Sequence, residues 1–183
     1  FSAGHKRIVE EIQNRGFEVY LAVDEFSWSK QTLPKLLRRQ IVSMSAASLP
    51  NAYLFPDDIP VNLALPNDLK NLGELFSGRE LYLVAGSDVI RNASAYRQTE
   101  PGSAATYNHI LFSRVDVGHA DDTRRAEDIL RGRVVSLSLP AYYESASSTQ
   151  IRDYIDKDMD IGMLVDPVVQ DFIYARGLYL RMP

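Results

Sequence analysis

Helices alternating with short β-forming runs over 183 residues predict an α/β domain with a parallel sheet covered on both faces. Two observations carry this. Apolar residues recur at helical spacing in one set of segments (Ile8, Val9 and Ile12; Leu37, Ile41 and Met44). Between them lie runs such as FEVYLAV (17–23) and LYLVA (81–85), rich in β-formers. The length allows one domain, with a core that needs neither metal nor disulfide.

The elements follow in order. Lys6–Arg15 reads as a helix closed by Gly16, and Phe17–Val23 as a strand. Pro34 suits the first turn of a helix running through KLLRRQIVSMSAA. Ala52–Phe55 is a short strand between Pro50 and Pro56, and Asn67–Phe76 a helix stopped by Gly78. Leu81–Ala85 is nearly all apolar, which predicts burial on both faces. Ile110–Val115 and Val134–Leu139 are further strands, separated by a charged surface helix over Asp121–Leu130. In the tail, Asp166 and Pro167 read as a cap and first helical residue, followed by Val168, Val169, Phe172 and Ile173, with Gly177 at the end.

Composition narrows the function. Lys plus Arg is 20 and Asp plus Glu is 24, a net charge of −4. This mild acidity argues against broad binding to nucleic acid or an anionic membrane, while leaving room for a local cationic pocket. No apolar run reaches the roughly 18 residues that span a bilayer, and no signal peptide is visible. The chain has no cysteine, which excludes thiol nucleophiles and zinc–thiolate sites and fits a cytoplasmic protein. With His5, His109 and His119 as its three histidines, a histidine-rich metal site is not expected.

Ligands in parallel α/β folds sit beyond the carboxyl ends of the strands, near helix N-termini. Four segments fall there. Ser2-Ala3-Gly4-His5 precedes the first helix. Gly4 would let an anion approach the backbone, and His5 can donate to a phosphate oxygen; the plainer reading is an exposed turn. Ser147–Arg152 (SSTQIR) follows a strand and opens a helix. Ser148 or Thr149 can cap it, while Arg152 would oppose the helix dipole in the first turn unless an anion is shared among these groups. Gly86-Ser87-Asp88 follows the strand LYLVA; Asp88 could hold a ribose hydroxyl, a base amine or a magnesium water, or simply cap the next helix. Lys30 lies in the loop from Phe26 to Leu33, with Arg38 and Arg39 on the helix beyond.

Taken together and in this order, the segments resemble the nucleotidyltransferases with HxGH and SSTxIR motifs, most closely the nicotinate- and nicotinamide-mononucleotide adenylyltransferases. The resemblance covers nearly the whole chain. Its most specific part is the tail from Ser147 to Tyr179, including Leu164-Val165, Pro167 and Arg176-Gly177-Leu178-Tyr179. It implies a three-layer Rossmann-like fold, and transfer of a nucleotidyl group, adenylyl rather than cytidylyl, to a phosphate-bearing acceptor with release of pyrophosphate. It implies ATP or another triphosphate as donor, Mg²⁺ accompanying it, and a small phosphorylated acceptor such as nicotinate mononucleotide. His5, Lys30 and Arg152 would be catalytic. Ser2, Gly4, Gly86, Asp88, Ser148 and Thr149 would bind the nucleotide. No dedicated protein metal site, nucleic acid or membrane is expected; a homo-oligomer is compatible with the family.

Three departures stand out. Ser2 replaces the family's first motif histidine, where the phosphopantetheine branch uses threonine. Ser94-Ala95-Tyr96-Arg97 occupies the region where the pyridine-nucleotide branch carries stacking tryptophans; the one tryptophan here is Trp28. The family's first strand and its G-x-F-D-P turn, which precede HxGH, have no counterpart before Phe1. The expectation is therefore a single nucleotidyltransferase-like domain over 1–183, truncated at its N-terminus, with a gap or a substitute strand in mid-sheet. The alternative is a catalytically degenerate nucleotide-binding or regulatory domain of the same fold.

Overall fold

The computed structural model describes residues 3–23, 34–114, 120–139 and Lys157. The Lys30 loop, Ser2, the SSTQIR segment and the tail helix expected from Asp166 lie outside them. The chain divides into two compact units, one from Phe1–Asp58 with Tyr142–Pro183 and one from Ile59–Ala141.

In the first unit, helix α1 (Ala3–Asn14) leads to strand β1 (Val19–Leu21), helix α2 (Lys35–Ala46) and strand β2 (Ala52–Leu54). α1 buries Ile8, Val9 and Ile12, one stripe of an otherwise charged helix. It starts three residues earlier than the apolar spacing suggests, so Gly4 and His5 lie inside its first turn, not ahead of it. Ala3 favours helix, and glycine costs least at a helix end, where few bonds depend on it. Pro34 is the cap residue of α2, not its first helical residue; its φ of −51° and ψ of 145° are extended. β1 and β2 pair in parallel, Val19 with Ala52 and Leu21 with Leu54.

The second unit runs through helix α3 (Pro66–Leu75), strand β3 (Tyr82–Gly86), helix α4 (Ser87–Asn92), strand β4 (Asn108–Arg114), helix α5 (Ala120–Ile129) and strand β5 (Val134–Leu139). Two 3₁₀ turns, Ser94–Arg97 and Ala104–Thr106, lie between α4 and β4. The strands form one parallel sheet in the order β3-β4-β5. All pairing among the described strands is parallel, as the alternation of elements predicts, and no described strand joins the two sheets.

Burial in the second unit centres on β4. Ile110 and Leu111 point to opposite faces, and both are essentially inaccessible. The expectation of two-sided burial for β3 fails at Val84, which is 41% exposed. Among the described strands β3 lies at the edge of its sheet, and the alternation of its side chains turns Val84 away from the core. α5 turns Ala126 inward, fully buried, and its charged residues outward.

Two glycines make opposite predictions. A Cβ on Gly132 would lie 2.4 Å from the Tyr107 carbonyl oxygen and 2.9 Å from the Asn108 nitrogen, both backbone atoms with little freedom to move. Gly132→Ala should cost about 1–3 kcal/mol. Gly73, within α3, has nothing within 4 Å of that position. Gly73→Ala should stabilise by about 0.5–1 kcal/mol. Urea unfolding should move its midpoint in these opposite directions at unchanged slope.

Candidate functional site

The first candidate residues stand at the head of α1. Gly4 is buried and His5 exposed. No acidic residue occupies the first turn, so the positive end of the helix is left without a carboxylate of its own there. Protein crowding around the His5 ring, and secondarily the positive charge at the chain's first residue, push its pKa from 6.5 down to about 4. Its exposed surface is at odds with strong desolvation, since water that reaches the ring weakens that effect. Either way the imidazole is neutral at pH 7 and offers one N–H donor; a bound phosphate would raise its pKa again.

In the same unit, the carboxyl end of the parallel pair meets the start of α2. Phe55 N–H donates to Leu21 O at 2.8 Å, and Arg39 donates to Phe55 O at 3.1 Å. Lys35 Nζ lies 2.7 Å from Asp57 Oδ1, and Arg39 3.8 Å from the same oxygen. The hydrogen bond from Lys35, then the charges of Lys35 and Arg39, hold the Asp57 carboxyl below its usual 3.8.

In the second unit, β3 ends on Gly86, and α4 begins at Ser87. Gly86 is buried because its missing side chain is the space used by its neighbours. A Cβ there would lie 2.8 Å from Asp88 Oδ1 and 3.0 Å from the Phe112 ring. Register explains the second contact: Gly86 pairs with Phe112 on β4. Asp88 does not cap α4. The cap position is Gly86, without a side-chain cap bond, and Asp88 stands exposed in the first turn, where its charge suits the dipole.

α4 spans only six residues, too short to hold itself. Ile90 anchors it, 1% exposed. Arg91 reaches Asp122 on α5 at 3.4 Å, while its Nε is buried without a partner. The following turn is fixed by Tyr96, 4% exposed, whose hydroxyl lies 2.9 Å from His109 Nε2. Tyr96 is the aromatic residue of the Ser94–Arg97 segment, and it faces the protein interior. Arg97 beside it is exposed.

Of the sequence-predicted site residues, Gly4 and His5 fall in the first unit and Gly86 and Asp88 in the second. Ser2, Lys30, Ser148, Thr149 and Arg152 lie outside the described residues. Sequence reasoning missed the Gly86–Phe112 contact and the Tyr96–His109 bond. The signal for the first was the apolar ILF run at the matching end of the next strand. The signal for the second was a histidine leading directly into the apolar Ile110-Leu111-Phe112 run. Among the described residues no group of three or more His, Asp or Glu side chains could hold a metal, and no helix is long and apolar enough to cross a membrane.

Parallel strands feeding helix N-termini through a glycine turn define an α/β fold of the Rossmann-like nucleotidyltransferase type. Comparison with known proteins points the same way. The chain is 28% identical over 116 residues to a "Probable nicotinate-nucleotide adenylyltransferase" of Dictyoglomus thermophilum, a match covering 61% of this chain and 56% of that protein. It is 27% identical over 143 residues to a protein of the same name from Dictyoglomus turgidum, covering 73% of this chain and 66% of that one. The chain thus spans less than two thirds of the length of the curated relatives it matches. No protein-family model matches it. At this level of similarity the chain resembles the nucleotidyltransferases, and among them the nicotinate-nucleotide adenylyltransferases.

The close approach at Gly86 is testable. Gly86→Ala should lower stability by about 1–3 kcal/mol, because Asp88 and the Phe112 ring must both shift. Phe112→Leu removes the ring that resists. In a double-mutant cycle by denaturant unfolding, the pair should couple by about 0.5–3 kcal/mol in the rescuing direction. Additive losses would mean that the ring is not the obstacle.

Proposed function

We propose that this protein transfers a nucleotidyl group, adenylyl in preference to cytidylyl, from a nucleoside triphosphate to a phosphate-bearing acceptor such as nicotinate mononucleotide. The observation that carries the reading is the order of its segments: GH opening α1, Gly-Ser-Asp between a parallel strand and α4, and SSTQIR later in the chain. Similarity to proteins named for this activity supports it.

The chemistry asks little of a base. An acceptor phosphate is already ionised. Its oxygen attacks the α-phosphorus as the bond to the bridging oxygen breaks, and that electron pair leaves with pyrophosphate. Catalysis then rests on in-line positioning and on charge neutralisation. In this reading Gly4 and Gly86 allow close approach of the nucleotide. His5 donates a neutral hydrogen bond, and Ser2 a weaker one. Ser148 and Thr149 bind phosphate, and Lys30 and Arg152 neutralise charge on the leaving group. Asp88 takes a ribose hydroxyl, a base amine or a magnesium water. Mg²⁺ would come with the triphosphate, whose oxygens are its main ligands. The cytoplasm is the proposed setting, in keeping with a chain free of cysteine.

Arg152→Ala tests the reading. A charge-assisted contact of roughly 1.5–3 kcal/mol should be lost, with turnover falling more than triphosphate affinity if the contact tightens on the leaving pyrophosphate. Melting should hardly change if Arg152 stands where the sequence predicts, at a helix start, since an arginine there adds little stability. Arg152→Lys should rescue only partly, keeping the charge and losing the planar fork. The readouts are pyrophosphate release, calorimetric affinity and melting. A melting collapse with unchanged affinity per folded molecule would make Arg152 structural.

A second reading, a nucleotide-binding domain without catalysis, draws on Ser2 and on the inward-facing Tyr96. Pyrophosphate release across a panel of triphosphates and phosphorylated acceptors separates the two. Release with one acceptor supports transfer; triphosphate binding with no release from any acceptor supports the second reading.

A further inference from the structure

His109 lies on β4, the middle strand of its sheet, and its side chain is fully buried. Its Nδ1 is 2.8 Å from the Tyr107 carbonyl oxygen, and its Nε2 2.9 Å from the Tyr96 hydroxyl. A carbonyl can only accept, so Nδ1 carries the proton. In the neutral ring Nε2 is then an acceptor, and Tyr96 O–H donates to it. The two rings also meet edge to face, with centroids 5.4 Å apart. With the ring neutral, both imidazole nitrogens and the Tyr96 hydroxyl hydrogen are satisfied together; with the ring protonated, that hydroxyl hydrogen loses its acceptor.

We propose that the Tyr96–His109 pair is an acid-sensitive latch holding the Ser94–Arg97 turn, and through it α4, against the three-stranded sheet. Only Ala93 separates that turn from α4, and its N–H donates to Val89 O at 2.8 Å. Protonated His109 would point a second N–H at a hydroxyl that already aims its own hydrogen back. The hydroxyl would have to turn toward another acceptor, and a charge would sit in a site closed to water. β4 is paired on both sides and cannot easily open, so the turn is the part that gives way. Burial holds the His109 pKa below 6.5, only partly offset by the Tyr107 carbonyl, and burial pushes Tyr96 up to about 12. Tyr96 therefore acts as a donor throughout the physiological range.

The groups around the ring contain no compensating carboxylate among the contacts described. The 94–97 turn supplies the Tyr96 hydroxyl, and the residue before β4 supplies the Tyr107 carbonyl. β3 and β5 place Leu83 and Val134 in register with His109. Nearby charged side chains have other partners: Arg133 holds Glu80, Arg131 donates to Thr99 O, and Arg91 meets Asp122. Other hydrogen bonds near the turn run from Tyr96 N–H to Ala93 O, from Ser103 Oγ to Gln98 O and from Gln98 Nε2 to Ala64 O.

The sign of the effect follows from linkage. Below pH 6.5 the unlatched turn lets His109 take up a proton that the latched state refuses, so unlatching becomes easier as pH falls. The latch holds whether or not the chain transfers nucleotide; only its effect on turnover rests on the proposed activity. Amide exchange on the full chain, corrected for intrinsic rates, tests it between pH 7.5 and 5.0. Protection at Ala95, Tyr96 and Arg97 should fall about tenfold. It should fall through an opening smaller than the one that exposes Ile110 and Leu111. His109→Gln, which can donate to Tyr107 O and accept from Tyr96 without titrating, should abolish the pH dependence. If that variant does not fold, Tyr96→Phe should show low protection of the turn already at pH 7.5. Protection of the turn that is independent of pH, or lost only together with the strand, would overturn the proposal. So would a pH dependence retained in His109→Gln.

Discussion

Parallel pairing is the constraint from which the rest of this structure follows. Two parallel strands cannot be joined by a tight turn; the chain must cross back along a face of the sheet, usually as a helix. That crossover puts every strand's carboxyl end on one edge and starts a helix from it. β3, Gly86 and α4 are one such passage, and β4 to α5 is another. The candidate site residues described here, at the head of α1 and after β3, sit at helix starts because the topology leaves the donors of those starts unsatisfied.

In the second unit the constraint is tightened by packing. β4 buries residues on both faces, so its register against β3 and β5 has no freedom to slip. That register brings Phe112 beside Gly86 and His109 beneath the 94–97 turn. One strand thus fixes both ends of α4, a helix too short to persist alone. The strand-end glycine carries the approach to a ligand in the proposed chemistry, and the same absence of a side chain admits the aromatic ring.

Much of the fold could be read from the sequence, because hydrophobic period reports on burial directly. β5 matches the run Val134–Leu139 residue for residue, and α5 and α3 differ from their expected bounds by a residue at either end. The head of α1 was misjudged because apolar spacing is silent where a helix emerges from the core; Ala3 and Gly4 carry no large apolar side chain. Val84 was misjudged because an all-apolar run does not say whether its strand is central or at an edge. The Gly86-Ser87-Asp88 turn was legible as a strand end, yet its tight contact with Phe112 depends on interstrand register, which no local pattern encodes. The Tyr96–His109 bond joins residues on separate elements and left no periodic trace. Ser94–Arg97 departs from the tryptophans that the family resemblance leads one to expect, and its one aromatic residue turns inward. This observation bears most directly on the acceptor.

The central proposal is that the GH and SSTQIR segments serve one triphosphate. A crystal structure of the protein with a non-hydrolysable ATP analogue and Mg²⁺ tests it most directly. The account predicts phosphate oxygens within hydrogen-bond distance of His5, Thr149 and Arg152. An analogue bound elsewhere, or His5 and Arg152 separated by far more than the length of a triphosphate, would contradict it.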